Sequence, residues 1–296
     1  MKGLIKSLFK GKAEAEDKSK AGPLTYEEAR GLARDEALNV RRDLAARSDV
    51  EPEILYFLAE DPAPEVRRRI AVNKVTPVHA DLLLASDDDE DVRGDLAGKI
   101  ATLAPGLSAD EQDKVRRMTY QVLEVLARDQ ATRVRQILSD ALKDVADAPP
   151  EVIRKLASDV ELVVSGPVLQ YSPVLTEEDL LEIIETNPSS GNLAAVSRRE
   201  TVPATLADVI IATYDEEAVA LLLGNPSAQI REEMLDRIID RAPDIEPWHE
   251  PLIHRPLLPG RAAAKLARFV AHNLLDKLKA REDLEPEVLE EDRTGE

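Results

Sequence analysis

The chain has 296 residues, 58 acidic against 39 basic, a net charge of −19 and no cysteine. That composition excludes disulfides, thiolate metal sites and a cysteine nucleophile, and its negative field opposes non-specific approach to nucleic acid or anionic lipid. Hydrophobic residues make up 43% but aromatics only 3%, a set that suits closely packed short helices better than a large enclosed ligand pocket.

Residues 1–12 are basic and amphipathic as a helix. Leu4, Ile5, Leu8 and Phe9 share one face, while Lys2, Lys6 and Lys10 follow at spacing four. The apolar core of this stretch is too short for a secretory signal, and no apolar run approaches the ~20 residues needed to cross a bilayer. A cytoplasmic location is therefore expected, with weak contact at the inner membrane surface through residues 1–12 as the variant to test. Residues 13–23 read as a charged linker. Thr25 followed by Glu28 predicts a capping box and the first helix of the body.

From there a period takes over. Asp35, Asp61 and Asp87 lie 26 residues apart, and each is followed six positions later by an arginine preceded by valine: Arg41, Arg67 and Arg93. The motif returns as Asp129 with Val134-Arg135, and more loosely as Asp110 with Val115-Arg116. A fixed period of this size signals stacked small units rather than one globular core. Residues 40–61 align over 66–87: a first short helix with Val and Leu or Ile four apart, a break at Pro52 or Pro77, then a second helix carrying Ile54-Leu55-Leu58 or Leu82-Leu83-Leu84. A longer helix is predicted over about 108–128, and Pro149-Pro150 marks a boundary.

The second half repeats the theme less strictly. Leu193-Ala194-Ala195-Val196 returns 26 residues on as Val219-Ala220-Leu221-Leu222, and helices follow Pro203 and Ser227. Residues 243–260 are proline-rich and read as irregular, a final amphipathic helix runs over about 261–281, and the acidic tail 282–296 reads as disordered. The expected organisation is thus a basic segment and linker (1–23), two helical halves (24–150 and 151–281) and the tail. The fold class is all-α, a right-handed α-solenoid of short paired helices.

Each motif aspartate falls in the turn before a first helix, where its carboxylate accepts backbone N–H bonds. Each arginine falls in the first turns of that helix, at the edge of the buried face. A planar guanidinium bridges carboxylates and turn carbonyls together, as lysine does not. Asp35, Arg41, Asp61, Arg67, Asp87, Arg93, Asp129 and Arg135 are accordingly read as a structural ladder between neighbouring units. A basic track for phosphates is the rival reading.

The motif with its following alanine resembles HEAT and related leucine-rich-variant repeats. Further on, Asp159 through Leu169, Ser172-Pro173-Val174-Leu175, Ala194 through Arg199 and Leu222 through Pro226 resemble a bacterial HEAT-like family known only as a domain of unknown function. That resemblance runs over about 30–280 and is most specific over 159–242. It implies an α-solenoid and carries over no catalytic residue.

His249 and His254 beside Trp248 lack the spacing of a metal or acid–base site, and Trp248 is expected to anchor its loop instead. The run Asp87 to Asp91 lacks the glycine and distal glutamate of a calcium loop. No catalytic residue, metal or cofactor is expected. The leading reading is a non-enzymatic scaffold or adaptor that binds a protein partner. A HEAT-like nucleic-acid-binding or DNA-repair protein, and a membrane-associated regulator acting through residues 1–12, are the alternatives.

Overall fold

In a computed structural model of the protein, the structure describes residues 22–104, 113–255, 260 and 262–268. Among these residues all regular structure is helical, apart from one isolated parallel bridge between Val202 and Ala228. The docking residues predicted in segment 1–12, Asp110 and the tail lie outside the described residues. The chain divides into two compact units, on either side of Leu175 and Thr176.

The first unit contains α1 (Tyr26–Leu32), α2 (Leu38–Ala45), α3 (Pro52–Leu58), α4 (Pro64–Val72), α5 (Val78–Leu84), α6 (Glu90–Leu103), α7 (Asp113–Leu126), α8 (Thr132–Leu142), α9 (Pro150–Ala157) and α10 (Leu162–Tyr171). Consecutive helices pack together. Alternate helices pack as well: α2 on α4, α4 on α6, α6 on α8 and α8 on α10 form a first row. In the second row α3 lies on α5, α5 on α7 and α7 on α9.

Local sequence accounts for these elements. The side chain of Thr25 accepts from the Glu28 N–H while Glu28 accepts from the Thr25 N–H, closing the capping box that starts α1. Pro52, Pro64 and Pro150 occupy first turns, where no N–H is needed. In the first row Val40 with Leu44, Val66 with Ile70, Val92 with Leu96 and Val134 with Leu138 are fully buried. Their i, i+4 spacing sets one apolar stripe per helix against both rows.

Leu83 is 38% exposed although Leu84 beside it is buried, so only part of the Leu82–Leu84 run faces the core. Of the loose motif at Asp110–Arg116 only the second half is described: Val115 is exposed, and Arg116 donates from Nε to Tyr120 Oη at 3.0 Å. The ladder turns lead from a second-row helix into a first-row helix, whereas Arg116 lies on α7, a helix of the second row. Pro149-Pro150, read as a boundary between helical pieces, lies where Pro150 opens α9.

The second unit contains α11 (Glu177–Thr186), α12 (Ser190–Ser197), α13 (Ala204–Thr213), α14 (Glu216–Gly224), α15 (Glu232–Arg241) and α16 (His249–His254). Alternation recurs: α11 on α13, α12 on α14, α13 on α15 and α14 on α16. Of the stretch 243–260, read as irregular, the described part up to Arg255 instead holds two 3-10 turns at Ala242–Asp244 and Glu246–Trp248 followed by α16. Pro243 and Pro247 sit early in these turns, which they start rather than prevent. Trp248 is buried, and its indole N–H donates to the Glu216 carbonyl at 3.0 Å. Arg255 donates to the carbonyls of Leu223 and Ala228 at 3.1 and 2.6 Å. Between them they hold both ends of α14.

Candidate functional site

The motif arginines share one geometry. Nε of Arg41, Arg67, Arg93 and Arg135 donates to Oδ2 of Asp61, Asp87, Asp129 and Asp159 respectively, at 2.5–2.6 Å. Nη2 donates to the other carboxylate oxygen at 2.8–3.2 Å. Nη1 turns back to two carbonyls of its own turn: Asp35 and Glu36 for Arg41, Asp61 and Pro62 for Arg67, with Arg93 and Arg135 alike. Each guanidinium therefore ties the turn before its own helix to the aspartate of the next turn. The aspartates also accept the N–H two residues on, from Ala63, Asp89, Ala131 and Glu161. Asp35 accepts the Ala37 N–H in the same way, and no guanidinium reaches its carboxylate among the described residues.

The electrostatics follow. Hydrogen bonding to the partner aspartate raises all four arginines above their ordinary value, against the opposing effect of burial. Burial opposes ionisation of Asp159, but the bonds from Arg135 and the Glu161 N–H outweigh it and hold the carboxyl below its ordinary value. Asp159 is the ladder member that motif reading left out. Its own sixth residue is Ser165 rather than arginine, so only the aspartate half of the signal is present.

A second device escaped the sequence reading altogether. Asn73 Nδ2 donates to the carbonyls of Ala45 and Arg47 at 2.9 and 2.8 Å. Asn225 Nδ2 donates to Ser197 and Arg199 at the same two distances. Both offsets, 28 and 26 residues, are identical in the two units. Position 99, one period beyond Asn73, holds Lys99, whose Nζ donates to the Asn73 carbonyl and pairs with Asp81. Both charges are buried. Burial pushes the Asp81 carboxyl up to about 6 against the attraction of Lys99, and burial holds Lys99 below its ordinary value.

What the first unit offers outward is different in kind. Phe57, Leu83 and Val125 each stand four residues before a ladder aspartate, on the adjacent helices α3, α5 and α7, and are 45, 38 and 39% exposed. Tyr56 widens the stripe at one end. The guanidinium of Arg34 lies 5.7 Å from the Phe57 ring centroid. The corresponding positions before Asp35 and Asp159 are Gly31 and Lys155, so the stripe stops on both sides. On the first row, a cleft of about 430 Å³ is lined by Arg42, Glu65, Arg68, Arg69, Val72 and Asp95. Its central Arg68 is held by Asp95 and Asp91 at 2.7 and 3.2 Å.

The remaining chemistry-bearing residues face backbone. His249 Nε2 lies 2.6 Å from the Ala242 carbonyl and His254 Nδ1 lies 2.9 Å from that of Glu250. In the acidic run, Asp87 takes Arg67, Asp89 caps α6, and Asp91 meets Arg68 and Arg133. No three His, Asp or Glu side chains among the described residues converge as a metal site. No described helix is long and apolar enough to cross a membrane.

Residues 164–292 match the model of a family described as an uncharacterised protein conserved in bacteria (DUF2336). No curated protein matches the chain.

Proposed function

We propose that the protein is a non-enzymatic scaffold or adaptor of the cytoplasm, a right-handed α-solenoid of HEAT-like paired helices that holds a protein partner on its second-row face. Support for the solenoid comes from the alternate packing of α2 through α10 and the regular Arg–Asp ties between successive turns. The observation that carries the docking role is the apolar stripe of Phe57, Leu83 and Val125 at one register on three neighbouring helices. Isolated exposed apolar residues are ordinary, but a contiguous stripe rimmed by polar groups marks an interaction surface. Against the nucleic-acid alternative stand the net charge of −19 and the four arginines already engaged by aspartates.

The test is affinity capture from the native cell lysate with the whole chain and with a Phe57→Glu/Leu83→Glu variant. A protein retained by the first and lost with the second supports the reading. Equal retention by both removes the second-row face from it, and retention of nucleic acid alone removes the scaffold.

A further inference from the structure

We propose that the outer side of α10 is a dimer interface, on which a second copy of this chain packs its own α10 antiparallel. The proposal uses a different face from the second-row stripe and does not rest on it.

The character of the face is the first argument. Leu162, Val163 and Tyr171 are each exposed, and Val160 in the turn before them is 84% exposed. Gly166, Pro167 and Gln170 complete this side of the helix, opposite the buried Val164, Val168 and Leu169. No residue of α10 is charged, whereas the outward sides of α4, α6 and α8 carry Glu65, Asp95 and Arg133 among other charges. A contiguous apolar side of this kind marks an interaction surface. In a chain with a net charge of −19, two copies approach with least repulsion where neither bears charge.

The charges beside the face select the partner. Asp129 and Asp159 occupy equivalent turns, and α8 and α10 each begin three residues later, at Thr132 and Leu162. The two helices pack side by side, joined at their starts by Arg135 and Asp159. At their ends Nζ of Lys143 lies 5.8 Å from the Tyr171 ring centroid, so they run parallel. On α8 the exposed Arg133 and Asp140 stand about two turns apart. The point midway between them falls level with the Gly166–Pro167 step of α10. A twofold axis at that level sets Arg133 of each copy against Asp140 of the other, Leu162 against Tyr171, and the exposed Glu161 against Lys143. Each pairing joins unlike charges or two apolar side chains, so the surface complements itself. Within one chain Arg133 also meets Asp91, and Lys143 lies 3.6 Å from Asp140, yet Arg133 and Asp140 keep side-chain exposures of 66 and 52%. Asp91 is shared with Arg68, and Asp144 follows Lys143 in the turn beyond α8.

Sedimentation velocity of the full-length chain is the test. One helix face with its rim lies at the low end of specific interfaces, so dissociation on the order of micromolar is expected. The parent is expected to pass from the 32.6 kDa monomer to a species of twice that mass as concentration rises through that range. Val163→Glu is expected to stay monomeric. Arg133→Asp and Asp140→Arg, both at exposed positions, each set like charges together and should weaken self-association about tenfold. An equimolar mixture of the two should recover the dimer, because every contact between unlike variants then joins aspartate to arginine, and that recovery also shows both variants to be folded. A parent that stays monomeric at about 100 μM, a dimer that Val163→Glu leaves unchanged, or charge variants that fail to pair when mixed would overturn the proposal. Growth beyond a dimer would overturn it too, since a twofold contact closes on itself.

Discussion

Arg93 grips Asp129 across 36 positions with the same fork that Arg67 uses to grip Asp87 across 20. The insertion between α6 and α8 lengthens the connection but leaves the rung unchanged. Register between successive turns is therefore set by the guanidinium contacts and the buried Val stripe together, not by loop length. Both partners are largely out of water, with side-chain exposures of 15 and 5% for Arg93 and Asp129.

Removing one partner of such a pair strands the other. Arg67→Ala is expected to cost about 3–5 kcal/mol, read from denaturant midpoints followed by circular dichroism. Arg67→Lys keeps the charge but loses the fork and the carbonyl contacts, and should cost about 1.5–3 kcal/mol. Arg116→Ala, which removes a surface contact with Tyr120, should stay within about 0.5 kcal/mol of the parent. Equal effects at 67 and 116 would refute the distinction drawn between them.

The Lys99–Asp81 pair has no solvent to fall back on. Asp81→Ala leaves a buried ammonium and should cost about 3–5 kcal/mol, whereas Asp81→Leu with Lys99→Met should be neutral or stabilise by up to about 4 kcal/mol. The folded pKa of Asp81 is raised from 3.8 to about 6. Its contribution is therefore complete below pH 3.8 and lost as pH rises through about 6. The stability of the parent chain relative to Asp81→Asn should fall over that interval. A difference that is flat or rises there would show the carboxyl to be otherwise placed.

Trp248 is the one tryptophan of the chain, and it lies in the second unit against α14. Trp248→Ala should cost about 3–5 kcal/mol. Intrinsic fluorescence should follow the second unit alone, while circular dichroism follows both. An emission midpoint that shifts with Arg67→Ala would show the two units to melt as one.

Asn225 satisfies two carbonyls with one amide. Asn225→Leu leaves those of Ser197 and Arg199 without their donor, and about 1–3 kcal/mol is expected for a buried group left so. Asn73→Leu should behave alike in the first unit. Thermal denaturation of the two variants checks this, and a silent result at either position would count against the device.

How much of this was legible follows from which residues carried two signals at once. Arg41, Arg67, Arg93 and Arg135 stood out because a charge, a valine and an aspartate recurred together. Asp159 lacked its arginine, so it was read as part of a resemblance and not as the last acceptor. Asn73 and Asn225 are single polar residues at helix ends, where asparagine is common for local reasons, and Lys99 at the same register disguises the series. Phe57, Leu83 and Val125 give no sign of an outward stripe in the sequence, because apolar identity does not reveal which way a residue faces on a two-row helix. The α16 turn was hidden by its prolines, which forbid a helix interior but suit a beginning.

Each rung belongs to the junction it closes, with no member borrowed from farther along. A gene encoding residues 62–87 twice in succession would supply one more Arg67 and one more Asp87 in the correct order, along with the buried valine and the Asn73 amide. Such a chain should gain a full increment of length without any new surface having to be invented, as a zip takes one more tooth.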